Sequence, residues 1–116
     1  MYNVIIEADV QNKLEELRSI LIQTQGDKKG ERTFKDIISA IDNLQNYEIG
    51  TSIRERFFID CPDNWYILYS HKNLFIFSRT EDTVTVLKMY NEREDFIFDL
   101  FGVEMRSQES KDYWGE

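Results

Sequence analysis

The spacing of apolar residues changes once along this 116-residue chain, close to Gly50. Before Gly50 the apolar positions recur every three or four residues, which predicts amphipathic helices. After Gly50, runs of aromatic and β-branched residues alternate with short polar turns, which predicts strands. A chain with this division is expected to be an α+β protein in which a helical layer packs on a sheet.

The first half contains two predicted helices. The first has an apolar stripe formed by Val10, Leu14, Leu17 and Leu21. The stripe of the second consists of Phe34, Ile37, Ile38, Ile41 and Leu44. Residues 26–30 are the predicted loop, and Thr33, with Asp36 three residues later, is the predicted N-cap of the second helix. Because the loop is short, the two helices should form an antiparallel hairpin.

The remaining segments complete the predicted fold. A first strand is expected at residues 2–6, and later strands at 53–59, 65–70, 74–79 and 83–90. Short turns between the later strands predict an antiparallel meander of three to four strands, and a short helix follows at 92–101. The first strand should join this sheet, with the helical hairpin on one face and the functional surface on the other. Residues 1–102 are predicted as one domain, and 103–116 as a flexible acidic tail.

Composition limits the classes of partner and cofactor. The chain has 22 acidic and 14 basic residues, a net charge of −8, so it lacks the chain-wide cationic surface of a nucleic-acid-binding protein. Direct sequence-specific DNA binding is therefore not expected. One cysteine excludes an internal disulfide and a multi-cysteine zinc site, and it suits a reducing compartment. The sequence shows neither a signal-peptide pattern nor an apolar run long enough for a membrane span, which predicts a cytoplasmic protein without a membrane partner.

The residue types that most often act in catalysis or bind metals give no sign of such a site in this sequence. Cys61 has no evident activating base nearby, and His71, the one histidine, lies in a predicted turn, where a solvated side chain is the expected state. Four carboxylates in the predicted last helix resemble metal ligands, but the helix dipole favours acids near its start in any case; they are Glu92, Glu94, Asp95 and Asp99. We therefore predict no cofactor and no metal site.

Basic residues are the more informative candidates. Arg54 and Arg56 are two apart in a predicted strand, and so should project from the same face. Lys88 and Arg93 lie on and after the last strand, and the four side chains could converge into a cationic patch. Such a patch would stabilise a phosphoryl transition state or bind an acidic segment. The alternative is scattered solvated charge, paired across strands with Glu55, Asp60 or Glu81.

Three segments resemble the RelE/ParE family of toxins. Residues Leu74–Lys88 are similar to the paired final strands of that family, and Met89–Phe96 to the junction between its last strand and helix. Tyr2–Leu17 resembles the opening strand and first helix. The resemblance covers roughly residues 2–102, and the predicted order of elements is also that of the family.

The resemblance implies a small toxin of a bacterial type II toxin–antitoxin module, of the kind that serves plasmid stabilisation and growth inhibition, neutralised by a cognate antitoxin. RelE-like members cleave mRNA on the ribosome, whereas ParE-like members inhibit DNA gyrase. Arg93 and Asp95 match the Arg and Asp of the family's junction motif, and Asn91 stands where many ParE-like members have His. The position of the RelE-like catalytic tyrosine falls near Phe98 or Asp99, and neither side chain carries a phenol.

These observations favour a ParE-like toxin that acts by binding a protein target such as DNA gyrase. The acidic net charge supports this reading, because it opposes approach to the phosphate-rich ribosome. Enzymatic activity is left open at this point, and a ribosome-dependent endoribonuclease is the activity to expect if the protein is an enzyme. The alternative is a RelE-like mRNA interferase, and a third reading is a non-toxic binding protein on the same scaffold. For the interferase, the bases would neutralise the phosphate and the tyrosine would transfer a proton; the candidate catalytic residues are Arg54, Arg56, Lys88, Tyr90 and Arg93. A partner groove is expected along Leu14, Leu17 and Leu21 or beside Trp65 and Phe96.

Overall fold

A computed structural model describes residues 1–46 and 49–101; the predicted tail at 103–116 lies outside them. Within this part of the chain the elements follow the predicted order, with one short helix added between strands. They are β1 (Asn3–Ile6), α1 (Ala8–Gln25), α2 (Asp27–Asp42), a 3₁₀ turn (Asn43–Gln45), β2 (Thr51–Ser52), α3 (Ile53–Phe57), β3 (Trp65–Ser70), β4 (Asn73–Arg79), β5 (Thr83–Asn91) and α4 (Phe96–Phe101). No helix in the described ranges is long and apolar enough to cross a membrane.

The five strands form one sheet in the order β1-β5-β4-β3-β2. The last three strands pair as antiparallel neighbours, while β1 pairs in parallel with β5. The parallel pairing is possible because the helical hairpin carries the chain back across the sheet before the meander begins. The predicted α+β class, with the first strand in the same sheet as the meander, is confirmed.

The helical hairpin is tighter than the sequence predicted. Gly26 alone separates α1 from α2, with a φ of 90° that favours glycine, so the predicted loop at 26–30 and the predicted N-cap Thr33 are wrong. Thr33 is instead buried inside α2, where its hydroxyl donates to Gln25 Oε1 at 2.8 Å. Gly30 serves contact between the helices, because an added Cβ would lie 2.7 Å from the carbonyl oxygen of Leu21.

The predicted strand at 53–59 is also wrong. Only Thr51 and Ser52 pair with β3, and the chain then turns into α3. The local cause is a helix start signal: the Ser52 hydroxyl accepts from the backbone N–H of Glu55 at 3.3 Å and caps the first turn. Arg54 and Arg56 therefore lie on a helix, where two residues are separated by about 200° and do not share a face.

Two apolar cores cover the two faces of the sheet. On one face the helical hairpin packs against β4 and β5, and Phe75 and Phe77 are fully buried there. On the other face α3 and α4 pack over part of the sheet. This is the face on which the functional surface was expected, and only the part that the two helices leave uncovered is open to a partner. This second core includes Ile53, Ile67, Leu74, Ile76, Tyr90, Phe96 and Ile97.

A β-bulge in β5 decides which of its residues face each core. Ile76 is paired with Lys88 and Phe77 with Val86, so Leu87 is an extra residue in the ladder. An extra residue reverses the alternation of side chains beyond it. Val86 packs in the core under the hairpin and Leu87 against the second core, as regular alternation requires. Beyond the bulge the alternation is reversed, so Met89 packs on the same side as Val86 and Tyr90 on the same side as Leu87.

Candidate functional site

The uncovered part of the second sheet face contains an apolar groove of about 410 Å³. We call it the Trp65 groove, and it is lined by Trp65, Ile76, Leu87, Lys88, Glu7, Ala8 and Asp9. Three strands supply its apolar floor, while the turn between β1 and α1 places two exposed carboxylates at its rim. The groove lies beside Trp65, one of the two places where the sequence predicted a partner groove.

The bulge gives the Trp65 groove its mixed character. In a regular strand Leu87 and Lys88 would project from opposite faces. Because the ladder contains an extra residue here, both side chains line the same groove. The groove therefore has an apolar floor with an ammonium group at one side and the carboxylates of Glu7 and Asp9 at another. Such a groove suits a partner segment in which an apolar side chain is flanked by charged ones.

Tyr90, the predicted proton-transfer residue, is buried in the second core and already hydrogen bonded. Its hydroxyl donates to Asp99 Oδ2 at 2.6 Å, and the ammonium of Lys13 lies 5.3 Å from the ring centroid. Burial raises the pKa of the Tyr90 phenol well above its ordinary value, and the hydrogen bond and negative charge of Asp99 raise it further. A proton donor in catalysis needs a pKa near the working pH, so this environment opposes such a role.

Replacing Tyr90 by phenylalanine is expected to reduce the loss of stability at alkaline pH. Below about pH 10, the ordinary pKa of tyrosine, the phenol is protonated in both states and its contribution is complete. Above that pH the unfolded chain loses the proton while the folded chain keeps it, so the free energy of unfolding falls. Denaturant titrations at neutral and alkaline pH measure this slope, and Tyr69→Phe, at an exposed position of β3, is the control that should keep the wild-type slope.

A second groove, of about 650 Å³, lies where the end of the helical hairpin meets the ends of β3, β4 and β5. We call it the end groove. Leu17 and the half-exposed Ile20 form part of its apolar wall, and Lys72 and Arg93 supply positive charge. His71 also lines it and places Nε2 3.3 Å from Asp36 Oδ2, which links the β3–β4 turn to α2.

The predicted cationic residues are not gathered in one place. Lys88 lines the Trp65 groove, Arg93 lines the end groove, and Arg54 and Arg56 are exposed on α3. Each of these two grooves contains one of the predicted basic residues. Because α3 replaces the predicted strand, the same-face argument that joined Arg54 to Arg56 no longer applies.

Two of the acidic residues near the last helix, Glu94 and Asp99, accept hydrogen bonds within the fold. Asn91 Oδ1 accepts from the backbone N–H groups of Arg93 and Glu94, and Glu94 Oε1 accepts from the N–H of Asn91. These reciprocal bonds form a turn before α4, so the helix begins at Phe96 instead of the predicted residue 92. Among residues 1–46 and 49–101, no group of three or more potential ligands is arranged to hold a metal.

Cys61 is buried, and burial is the main cause that raises the pKa of its thiol. The nearby Arg54 lowers the pKa and Asp60 raises it, both by smaller amounts. A raised pKa disfavours the thiolate, which is the nucleophilic form of cysteine. The environment therefore disfavours Cys61 as a nucleophile, for which the sequence also offered no evident activating base.

Arg79 is a residue whose role the sequence analysis missed. Its guanidinium lies 4.4 Å from the ring centroid of Tyr66 and 5.7 Å from that of Tyr2, and it donates to the carbonyl of Ile49. It therefore joins β4 to β3, to the N-terminus and to the segment before β2. Strand alternation offered the signal, since Arg79 follows Phe75 and Phe77 on the same face of β4.

Comparison with known proteins adds a structural relationship. No protein-family model and no curated protein matches the sequence. A chain of the chromosomal ParDE TA system from P. aeruginosa has a similar fold, with a TM-score of 0.62 and 14% sequence identity. The similarity covers 78% of this chain and 96% of that one. At this identity the likeness establishes the fold alone, and the RelE/ParE-like fold inferred from the sequence is confirmed.

Proposed function

We propose that this protein is the toxin of a bacterial toxin–antitoxin module and is neutralised by a cognate antitoxin protein. The observation that carries the proposal is the structural similarity to the ParDE chain, which extends over 96% of that chain. Almost the whole of that chain thus has a counterpart in this one. The sequence resemblance at residues 74–96 supports the same assignment.

Within this class we propose ParE-like action, in which the protein inhibits a macromolecular target such as DNA gyrase by binding it. Phosphate cleavage would need several positive groups around one phosphate and a proton donor of suitable pKa. The separation of Lys88 from Arg93 and the hydrogen bond that engages Tyr90 both argue against a nuclease. The net charge of −8 also opposes approach to ribosomal RNA.

The end groove is the surface that we propose for the protein partner. Ile20 is 52% exposed there, and Leu17 beside it is half-buried, so burying both against a partner would remove apolar surface from water. Lys72 and Arg93 at the same groove would pair with acidic side chains of that partner. An apolar centre with a charged rim is the usual composition of such interfaces.

Tightly induced expression in a bacterium tests the function. We expect growth arrest with DNA breaks and an SOS response, relieved when the adjacent gene encoding the antitoxin is co-expressed. Arrest with cleavage of ribosome-bound mRNA would replace ParE-like action by the RelE-like alternative. Absence of arrest would reject the toxin and leave a binding protein on the same scaffold.

A pair of exposed isoleucines tests the proposed surface. Ile20→Glu places a charge in the end groove where apolar contact with the partner is required. If the partner there is the toxin's target, the variant is expected to lose the growth arrest. If the partner is the antitoxin, the variant is expected to keep the arrest and lose its relief by the antitoxin. Ile5→Glu is the matched control, since Ile5 is also 52% exposed but lies on β1 outside the end groove. Circular dichroism should show both variants folded, and equal effects of the two substitutions would reject the end groove as the partner surface.

A further inference from the structure

The turn between β3 and β4 has an unfavourable backbone conformation. Ser70 pairs with Asn73, so the loop consists of His71 and Lys72 alone. Their φ angles are 46° and 67°, and both lie in the left-handed region. A two-residue loop with two positive φ angles is a type I′ turn, which an Asn-Gly pair forms with little strain. Lysine carries a Cβ and rarely adopts this conformation, so Lys72 makes the turn less stable than glycine would.

Three contacts hold the turn in this shape. The buried Asn73 donates its side-chain N–H to the carbonyl of His71 at 2.9 Å. The backbone N–H of Glu92 donates to the carbonyl of Lys72, also at 2.9 Å. The third contact, between His71 and Asp36, joins two exposed side chains and so contributes little to stability. A strained conformation that its surroundings fix in this way often serves a function.

The strained turn places the ammonium group of Lys72 at the end groove. Lys72 is exposed and lines this groove together with Ile20. Asp36 is engaged by His71, and Glu92, which also lines the groove, forms no ion pair with Lys72. Within residues 1–46 and 49–101, the Lys72 ammonium therefore has no acidic partner. The side chain that strains the turn is available to another molecule.

We propose that Lys72 recognises a carboxylate of the protein partner that binds the end groove, and that the strained turn holds the ammonium in position for it. The partner segment that fits carries this carboxylate beside an aliphatic side chain, which would contact Ile20. A rigid turn lowers the entropy that is lost when the ion pair forms. The net charge of −8 disfavours a nucleic-acid phosphate in place of the carboxylate. This inference rests on the proposed function, because it concerns the partner surface assigned there.

Replacing the two turn residues by an Asn-Gly pair, His71→Asn with Lys72→Gly, tests the inference. The double variant should raise the thermal midpoint by about 2–5 °C, because it relieves the backbone strain. If the antitoxin occupies the end groove, calorimetric titration with purified antitoxin should show about tenfold weaker binding, as expected for the loss of a charged contact. If the toxin's target occupies it, the variant should lose the growth arrest. Gained stability with lost recognition separates this effect from damage to the fold.

Single substitutions separate the charge of Lys72 from the shape of the turn. Lys72→Gln removes the charge and keeps a Cβ, so it should weaken recognition without raising the thermal midpoint. Lys72→Arg keeps the charge and should retain most of the wild-type recognition. Lys88→Gln is the matched control, because it removes an equal charge from an exposed residue of the Trp65 groove and should leave recognition unchanged.

The possible failures are distinguishable. A wild-type chain that neither arrests growth nor binds the antitoxin rejects the proposed function, and this inference with it. A wild-type chain that does both, beside a double variant that also does both unchanged, rejects the inference alone. Equal effects of Lys72→Gln and Lys88→Gln would assign the effect to net charge, and a lower thermal midpoint of the double variant would contradict the strain in the turn.

Discussion

Replacing Phe77 by alanine is expected to lower the free energy of unfolding by about 3–5 kcal/mol, the usual cost of removing a buried phenyl ring from a packed core. Phe77 is fully buried under the helical hairpin, and its ring stacks on Tyr66 with centroids 5.6 Å apart. The Arg79 guanidinium lies 5.6 Å from the same ring, and Gly50 packs so closely that an added Cβ would be 2.6 Å from it. The loss of the ring therefore leaves a cavity and removes the support of Arg79.

Urea denaturation followed by fluorescence and circular dichroism measures this effect. Tyr69→Ala is the matched control. Tyr69 is also aromatic and lies on the neighbouring strand, but it is 61% exposed. Its replacement should change the free energy of unfolding by about 0.5 kcal/mol or less, as is usual for surface positions. Equal losses for the two variants would contradict the position of Phe77 at the centre of the first core.

Gly30→Ala is expected to destabilise the protein by about 1–3 kcal/mol, although alanine is the better helix former. The new methyl group would lie 2.7 Å from the carbonyl oxygen of Leu21 and 2.8 Å from the Cα of Ile22. These are backbone atoms of α1, so no side-chain rotation relieves the contact and the two helices must separate. The separation weakens the packing of Ile37 and Ile41, which are fully buried on α2.

Comparing the thermal unfolding of Gly30→Ala with that of Ser39→Ala separates two effects of alanine, its steric contact with α1 and its higher helix propensity. Ser39 lies on the exposed side of α2, where alanine has no neighbouring helix to meet. Ser39→Ala should be neutral or slightly stabilising. If Gly30→Ala were also stabilising, then α1 and α2 would be farther apart than the structure places them.

Local sequence signals predicted most of the fold. The stripe through Val10, Leu14 and Leu21 is buried as expected, because periodicity alone fixes which face of a helix is apolar. The three long strands and their antiparallel pairing were predicted from short turns between β-prone runs. The prediction failed at residues 53–59, where aromatic and β-branched residues outweighed the Ser52–Glu55 capping signal. It failed again at residues 26–30, where two glycines were both assigned to a loop.

The candidate site was less predictable, because its composition depends on which strands are neighbours. The groove beside Trp65 was anticipated, but its rim comes from Glu7 and Asp9, far away in sequence. The pairing of β1 with β5 brings them there. Likewise, Tyr90 was a reasonable proton donor on sequence grounds. Its burial and its bond to Asp99 arise only when α4 packs on the sheet.

The sequence by itself determined the α+β class, the helical hairpin, the order of the elements and the acidic character of the chain, because periodicity, turn chemistry and charge are local or additive properties. The tertiary structure decided the bulge at Leu87, the role of Gly30 between the helices, and the separation of Lys88 from Arg93. These features depend on register and on contacts between residues distant in the chain. A local sequence pattern does not predict such contacts, because the two residues become neighbours only after distant segments of the chain have packed together.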